Sequence, residues 1–384
     1  MRINIQDARD CCGCTACAAV CPMGAITMQP NVMGFLYPVI DDSRCIDCSL
    51  CAKTCQFNDH YKRHKNYDSQ VIYGIRHKDE KELEKSQSGA ASWAIIEAFL
   101  QVPGSVYGAA FQTVYHVAHS KACSLDDAQK FRCSKYVQSD LRGVFTDVKN
   151  ELKEGCRVLF FGTGCQIAGL KAAIPDKLQN ELMTIDIVCH AGPSPAVWES
   201  YVRYVEDKNQ NKVLSAAFRN KRFGWHSHIE TFVLDNSTKE IESISFRKLF
   251  YDHVIVRPSC TKCYFTNMQR VGDMTICDFW GWEKYYSEWN DNKGVSVLML
   301  NSERGREFFE ELRKFILFKE SSAEKCIQPQ LQTPITANMQ VIENAERIFA
   351  KKGYKGLARK YGNKNSIYLF KEAIRPILKA LKLK

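Results

Sequence analysis

Cys11-Cys12-Gly13-Cys14-Thr15-Ala16-Cys17-Ala18-Ala19-Val20-Cys21-Pro22 is matched further on by Cys45-Ile46-Asp47-Cys48-Ser49-Leu50-Cys51-Ala52-Lys53-Thr54-Cys55-Gln56. Both stretches space their cysteines as C-x2-C-x2-C-x3-C, and that run, used twice, holds two [4Fe–4S] clusters. Three thiolates in a tight loop take three irons of one cube. The fourth, on the following helical turn, reaches across to the other cube. The pattern therefore assigns Cys11, Cys14, Cys17 and Cys55 to one cluster, and Cys45, Cys48, Cys51 and Cys21 to the other. Gln56 stands where the first run has Pro22, which removes no ligand. Cys12 is extra and receives no ligand role. Zinc also takes four thiolates, but usually from two CxxC pairs without the further two cysteines so spaced. A disulfide framework is the other alternative, and it belongs to secreted chains.

Residues 1–60 thus resemble a ferredoxin, which implies one-electron transfer. The chain has 384 residues, too many for that module alone, so two or three domains are expected. With 45% hydrophobic and 25% charged residues, its composition is that of an ordinary globular protein. The opening MRINIQDARDCC has no apolar signal-peptide core, and no apolar run reaches the length of a membrane span. A cytoplasmic chain with reduced thiols is expected. The net charge is +10, and it is not spread evenly. Residues 351–384 carry eleven Lys or Arg against one acid, Glu372, so residues 1–350 sum to zero. A neutral body argues against nucleic acid as a partner.

Residues 61–69 are polar and charged, and read as a linker. Strands are predicted at 70–76, 104–111, 114–119, 157–161, 182–188 and 294–300, with strand-like segments through 213–250. Helices are predicted at 93–100, 141–154, from the end of the turn Gly162–Gln166 to Ala173, at 194–210 and at 303–318. Residues 331–350 read as irregular, then helical. The runs 157–161 and 182–188 are continuously apolar, as strands buried on both faces are. Each leads into a glycine-containing turn with one cysteine: Gly162-Thr163-Gly164-Cys165-Gln166 and Cys189-His190-Ala191-Gly192-Pro193. In open α/β sheets the working groups collect beyond the carboxyl ends of strands. The spacing after Gly162 and Gly164 is not a dinucleotide fingerprint, so no Rossmann site is expected. Ser86–Gly89, opening a helix, suits a phosphate or a plain N-cap. Cys260-x2-Cys263 comes later in the chain. Spacing alone leaves Cys165, Cys189, Cys260 and Cys263 open between a third cluster, zinc and buried small hydrophobes. Arg219, Lys221, Arg222 and Trp225 form a basic, aromatic group that suits either an anionic substrate or a solvated loop.

Ser86–Gly89, Ser134–Ser139, Gly162–Gln166, Cys189–Pro195, Cys260–Cys263 and Asp278–Gly281 follow the order seen in one family. Over residues 1–315 or so the chain resembles the β subunit of coenzyme F420-reducing hydrogenase and its relatives. These include F420 dehydrogenases, hydroxymethyl-chlorophyll reductase and bacterial proteins associated with polysaccharide synthesis. The chain departs from the family where Gly164 replaces a usual proline and where Cys133 and Cys277 replace usual glycines. The resemblance implies an α+β ferredoxin-like two-cluster module followed by an α/β flavin-binding body, the latter unlike common flavoprotein folds. The implied division is 1–60, then 70–155 and 156–320 as the two parts of the body, then a basic helical tail at 321–384. The implied cofactors are two [4Fe–4S] clusters, a third [4Fe–4S] cluster on Cys165, Cys189, Cys260 and Cys263, and FAD. Implied flavin contacts are Ser88, Gly89, Ser134, Lys135, Tyr136, Gln138, Gly162, Thr163 and Gly164. Lys135 is expected to neutralise a phosphate or the reduced ring, and His190 to donate a proton to a reduced product.

A flavin joins one-electron clusters to two-electron chemistry. The expected function is therefore an iron–sulfur flavoprotein oxidoreductase, fed by reduced ferredoxin or a similar donor and acting on a small anionic substrate, with polysaccharide biosynthesis as one setting. A coenzyme F420 oxidoreductase and a noncatalytic electron-relay subunit are the alternatives. Residues 366–383 set Ile367, Phe370, Ile374, Ile377, Leu378 and Leu381 against Lys371, Arg375, Lys379 and Lys382. A basic amphipathic segment of this kind suits peripheral contact with an anionic membrane.

Overall fold

The computed structural model describes residues 2–57, 70–235 and 240–362. The linker read at 61–69 and the amphipathic segment read at 366–383 lie outside them.

In the cysteine module, the two runs fold alike residue for residue. The residue directly before the second cysteine is left-handed in both, Gly13 at φ 71° and Asp47 at φ 51°. So is the residue after the second cysteine, Thr15 at φ 68° and Ser49 at φ 66°. Non-glycine residues enter this region rarely, so the same pair of turns occurring twice is a product of the repeated spacing. Each pair of turns runs into a short helix carrying the third cysteine, Ala16–Ala19 and Leu50–Thr54. Between the runs, β1 (Ile26–Pro30) and β2 (Leu36–Ile40) form an antiparallel hairpin.

The body contains β3 (Val71–His77), β4 (Ser105–Thr113), β5 (His116–Ala122), β6 (Val158–Thr163) and β7 (Leu182–Ile187). Next come β8 (Val213–Ala217), β9 (Glu230–Leu234) and β10 (Glu240–Ser243), then β11 (Met274–Asp278), β12 (Ser296–Leu300) and β13 (Ile316–Glu320). Eight of them make one mixed sheet in the order β13-β3-β12-β11-β7-β6-β4-β5. Its middle, β11-β7-β6-β4, is parallel. These strands are covered on both sides. Leu159 and Phe161 of β6 pack with helices Ala91–Phe99 and Glu303–Leu312. Val158 and Phe160 pack on the other face with Val144–Lys153 and Gly164–Ala173. The alternation of faces along one strand explains why that stretch is apolar without a break.

The strands β8, β9 and β10 form a separate antiparallel sheet. It shares a core with helices Pro195–Asn209, Ser245–Tyr251 and Met339–Tyr361, centred on Trp198, Tyr201, Phe232 and Phe246. Among the described residues, no helix is long and apolar enough to cross a membrane.

Two expectations change. The helix read over 303–318 ends at Leu312, and Ile316–Glu320 becomes the edge strand β13 on β3. Pairing with an open sheet edge overrides the helical pattern of those residues. The basic stretch also begins inside the folded body. Helix Met339–Tyr361 breaks at Gly353 and buries Tyr354 and Leu357.

The module sits directly on the body. Gly169, inside helix Gly164–Ala173, faces Cys14, and a Cβ there would lie 2.8 Å from both Cys14 Cβ and Sγ. Thr15 Oγ1 donates to the Leu141 carbonyl at 3.4 Å. Arg257 reaches from the body into the first cysteine run, and its Nε donates to the Cys11 carbonyl at 2.7 Å.

Candidate functional site

A cavity of about 570 Å³ opens beyond the carboxyl ends of β6, β7 and β11. This is where an open α/β sheet presents backbone and side chains from several strands to one ligand. Of the residues read as flavin contacts, Ser88, Ser134, Lys135, Tyr136, Gln138, Gly162, Thr163 and Gly164 line it, and His190 does too. Gly89 is not in its wall. Its N–H donates to Ser296 Oγ, and a Cβ there would lie 2.2 Å from the Ile75 carbonyl oxygen. Glycine at 89 serves the close approach of β3 and β12.

The polar groups of the wall are largely engaged. Lys135 Nζ donates to the carbonyls of Lys130 and Arg132, both at 2.8 Å. Burial pushes its ammonium down to about 8. His190 is bonded at both ring nitrogens, to His253 Nε2 at 2.9 Å and to the Gln330 amide at 2.8 Å. Burial, and then the His253 ring, push it down to about 4. At neutral pH it is an uncharged imidazole. Buried His119 donates from Nε2 to the Phe161 carbonyl and accepts at Nδ1 from Ser139 Oγ, both at 2.8 Å.

The basic, aromatic group divides by residue. Arg219 is buried in the cavity wall and pairs with Asp278 at 2.7 Å. Lys221 ties down the turn before helix Ala91–Phe99 by donating to the carbonyls of Ser86 and Ser88, at 2.8 and 3.0 Å. Arg222 is exposed and pairs with Glu240 and Glu242. Trp225 is buried, and its carbonyl accepts from Arg219. Of this group, Arg219 and Trp225 face the ligand space.

The second cysteine set converges on the same wall. Cys165 follows β6 at the start of its helix, Cys189 follows β7, Cys260 lies within the turn Pro258–Lys262 and Cys263 closes it. All four line the cavity. The Cys189 thiol is pushed up by burial and then by Cys260, Cys165 and Cys263, so the four are electrostatic neighbours. The Gly192 N–H points at Cys260 Sγ at 3.3 Å.

In the module, Cys17 is pushed up to about 12 by burial, then by Cys11 and Cys55. Cys21, Cys45, Cys48 and Cys51 line one recess together with Pro22, Ile26 and Ile40. The Ala25 N–H approaches Cys21 Sγ at 3.3 Å and the Ile3 N–H approaches Cys51 Sγ at 3.4 Å. Backbone donors aimed at sulfur are among the groups that tune an iron–sulfur cluster. Among the described residues, no three His, Cys, Asp or Glu side chains gather closely enough to hold a single metal ion. Grouped thiols, backbone donors and apolar walls fit cubane clusters.

Sequence reading missed the joint between module and cavity. Gln56 Nε2 lies 2.8 Å from both Cys12 Sγ and the Cys165 carbonyl. The free Cys165 thiol is pushed up first by a side-chain hydrogen bond with Cys12. Cys12 therefore stands between the two cysteine systems. The signal was the glutamine that replaces proline after the second run.

Residues 155–325 match the family described as the C terminus of the beta subunit of coenzyme F420 hydrogenase/dehydrogenase. Residues 10–58 match the 4Fe-4S dicluster domain. The F subunit of F(420)H(2) dehydrogenase from Methanosarcina mazei is 21% identical over 189 residues, 47% of this chain and 53% of that protein. The chain thus spans about half the length of that curated relative. A solved structure of the F420-reducing [NiFe] hydrogenase complex from Methanosarcina barkeri aligns with 79% of this chain and 97% of its own, at a TM-score of 0.46 and 15% identity.

Proposed function

We propose that this chain, which belongs to the coenzyme F420 hydrogenase/dehydrogenase β-subunit family, is an oxidoreductase that moves electrons between module clusters and a flavin in the 570 Å³ cavity. The observation that carries this reading is one of placement. The second cysteine set and the proposed flavin contacts line the same cavity, and Gln56 ties its wall to the cysteine module.

Cys11, Cys14, Cys17 and Cys55 hold the inner module cluster, and Cys21, Cys45, Cys48 and Cys51 the outer one. Cys165, Cys189, Cys260 and Cys263 hold a third beside the cavity. A bound flavin would supply the exchange between single electrons and a two-electron reaction. This chain's residues position it. Gly162, Thr163 and Gly164 offer backbone at close range, and Ser88, Ser134, Tyr136 and Gln138 offer polar side chains. Lys135 sets a cation in the wall, suited to a phosphate. His190, neutral and held from both sides, orients rather than ionises. Arg219 fixes the wall through Asp278 and meets a polar, small substrate. A reduced ferredoxin-type carrier is the donor this arrangement suits.

A coenzyme F420 oxidoreductase is the more specific form of the same reading, favoured by the name of the Methanosarcina mazei relative. Anaerobic purification with iron, sulfide and flavin quantitation tests the proposal. About twelve irons per chain, four per cube, and one flavin are expected. Cys260→Ser combined with Cys263→Ser should lower the iron to about eight, from four irons per cube, and leave the module clusters in place. Unchanged iron in that double variant would return the second set to a structural role. Iron clusters without flavin would favour an electron-relay role instead.

A further inference from the structure

Arg257 is 1% exposed, and every acceptor it has is uncharged in the protein as it stands. Its Nε donates to the Cys11 carbonyl at 2.7 Å and Nη2 to the Leu36 carbonyl at 2.8 Å. Nη1 donates to Gln138 Oε1 at 3.1 Å. Nη2 also lies 3.5 Å from Cys11 Sγ. The guanidinium stacks on Tyr37, its carbon 4.4 Å from the ring centroid. Among the described residues no carboxylate pairs with it. Arginine cannot shed its proton, and a buried charge without a counter-charge is costly. Of the atoms it touches, the Cys11 sulfur becomes anionic on binding iron, and the same charge also acts on the Cys165 and Cys260 thiols of the second set. The carbonyl of Arg257 itself accepts from the Cys260 N–H at 3.1 Å, so Arg257 also sits at the loop of the second cysteine set.

We propose that Arg257 is the counter-charge of the inner module cluster and raises that cluster's reduction potential. The inference rests on the cluster reading above. Reduction adds a negative charge to a cube, and a fixed cation in a dry site stabilises the reduced form more than the oxidised one. Cluster potentials respond to net charge, to hydrogen bonds at sulfur and to solvent exposure. The outer cluster's Cys48 is exposed, whereas Cys11 and Cys17 are buried. Arg257 acts as a positioning and tuning residue and touches no substrate.

The test is an EPR-monitored redox titration of the anaerobically purified full chain, with iron counted first. Arg257→Gln should shift the inner cluster's midpoint negative while the outer cluster's stays in place and iron content holds. Arg257→Lys should recover most of the shift, because it keeps the charge. Should Arg257→Gln lose iron, Gln138→Glu sets a carboxylate against Nη1 with Arg257 retained, and a negative shift of the inner midpoint is again expected. An unmoved inner midpoint in whichever neutralised variant keeps its iron overturns the proposal. Equal shifts of both clusters overturn it too. A wild-type chain containing zinc or no iron would overturn the cluster reading itself, and metal analysis reveals that before any titration.

Discussion

Gly169 and Cys14 meet where the body helix Gly164–Ala173 lies against the first cysteine run, with room for no Cβ between them. In a helix interior, alanine is favoured over glycine by roughly 0.8–1 kcal/mol. Overpacking a close contact costs about 1–3 kcal/mol. Cys14, as a proposed cluster ligand, would have little freedom to retreat, so the second effect should win. Gly169→Ala is expected to lose about 1 kcal/mol of stability and to loosen the module. Thermal unfolding with iron retained checks it, and a raised melting temperature would contradict the contact.

Crosswise ligation predicts a counterintuitive loss. Cys55 lies at the end of the second run, yet it neighbours Cys17 and Cys11. Cys21, from the first run, shares its recess with Cys45, Cys48 and Cys51. Cys55→Ser should therefore damage the cluster of Cys11, Cys14 and Cys17 and spare the one next to it in sequence. EPR on the singly substituted chain, compared with Cys21→Ser, distinguishes the two; the reverse pattern would refute crosswise ligation.

Much of this was legible in the residues, for physical reasons that also set the limit. A cysteine spacing fixes local turns, and those at Gly13, Thr15, Asp47 and Ser49 repeat because the spacing does. Continuous apolar runs mark doubly covered strands, and β6 and β7 lie within a residue or two of where that pattern put them. Long-range partners leave no such mark. Arg257 contacts Cys11 across 246 positions, and Gln56 contacts Cys165 across 109. Neither carries a local period, so only the fold brings them together. Lys221 shows the converse. Its charge suited either an anionic ligand or a solvated loop, and the fold spends it on the carbonyls of Ser86 and Ser88.

Glu230 should make the small-sheet core pH-sensitive. It is buried, lies 3.0 Å from Tyr201 Oη, and burial pushes its carboxyl up to about 7. The folded state thus binds this proton more tightly than the unfolded chain, whose carboxyl titrates near 4.3. The stabilisation is complete below that value and is lost as pH rises through about 7. The span corresponds to something on the order of 3 kcal/mol. Glu230→Gln removes the titration. Tyr201 can accept from the new amide because its hydroxyl can donate to Ser243 Oγ at 2.6 Å. Wild-type melting temperature should fall between pH 5 and 8 and the variant's should stay level. Parallel curves would remove Glu230 as the cause.

The surplus charge of the chain gives the last prediction, with a boundary that the fold moves. Residues 351–361 belong to helix Met339–Tyr361, which buries Tyr354 and Leu357 against Pro195–Asn209 and the small sheet. Removing them would unfold part of the body and obscure any binding effect. Residues 363–384, outside the described residues, still carry six Lys or Arg against Glu372. Near an anionic surface each cation adds about 1 kcal/mol, and the attraction fades within a Debye length. Five net charges would then be expected to support weak docking that salt reverses. The intact chain should sediment with phosphatidylserine-containing vesicles at low salt and be released at high salt. A chain ending at Gly362 should remain in the supernatant with an unchanged melting temperature. Equal sedimentation of the two chains would assign binding to the body, and no sedimentation of either at low salt would discard it.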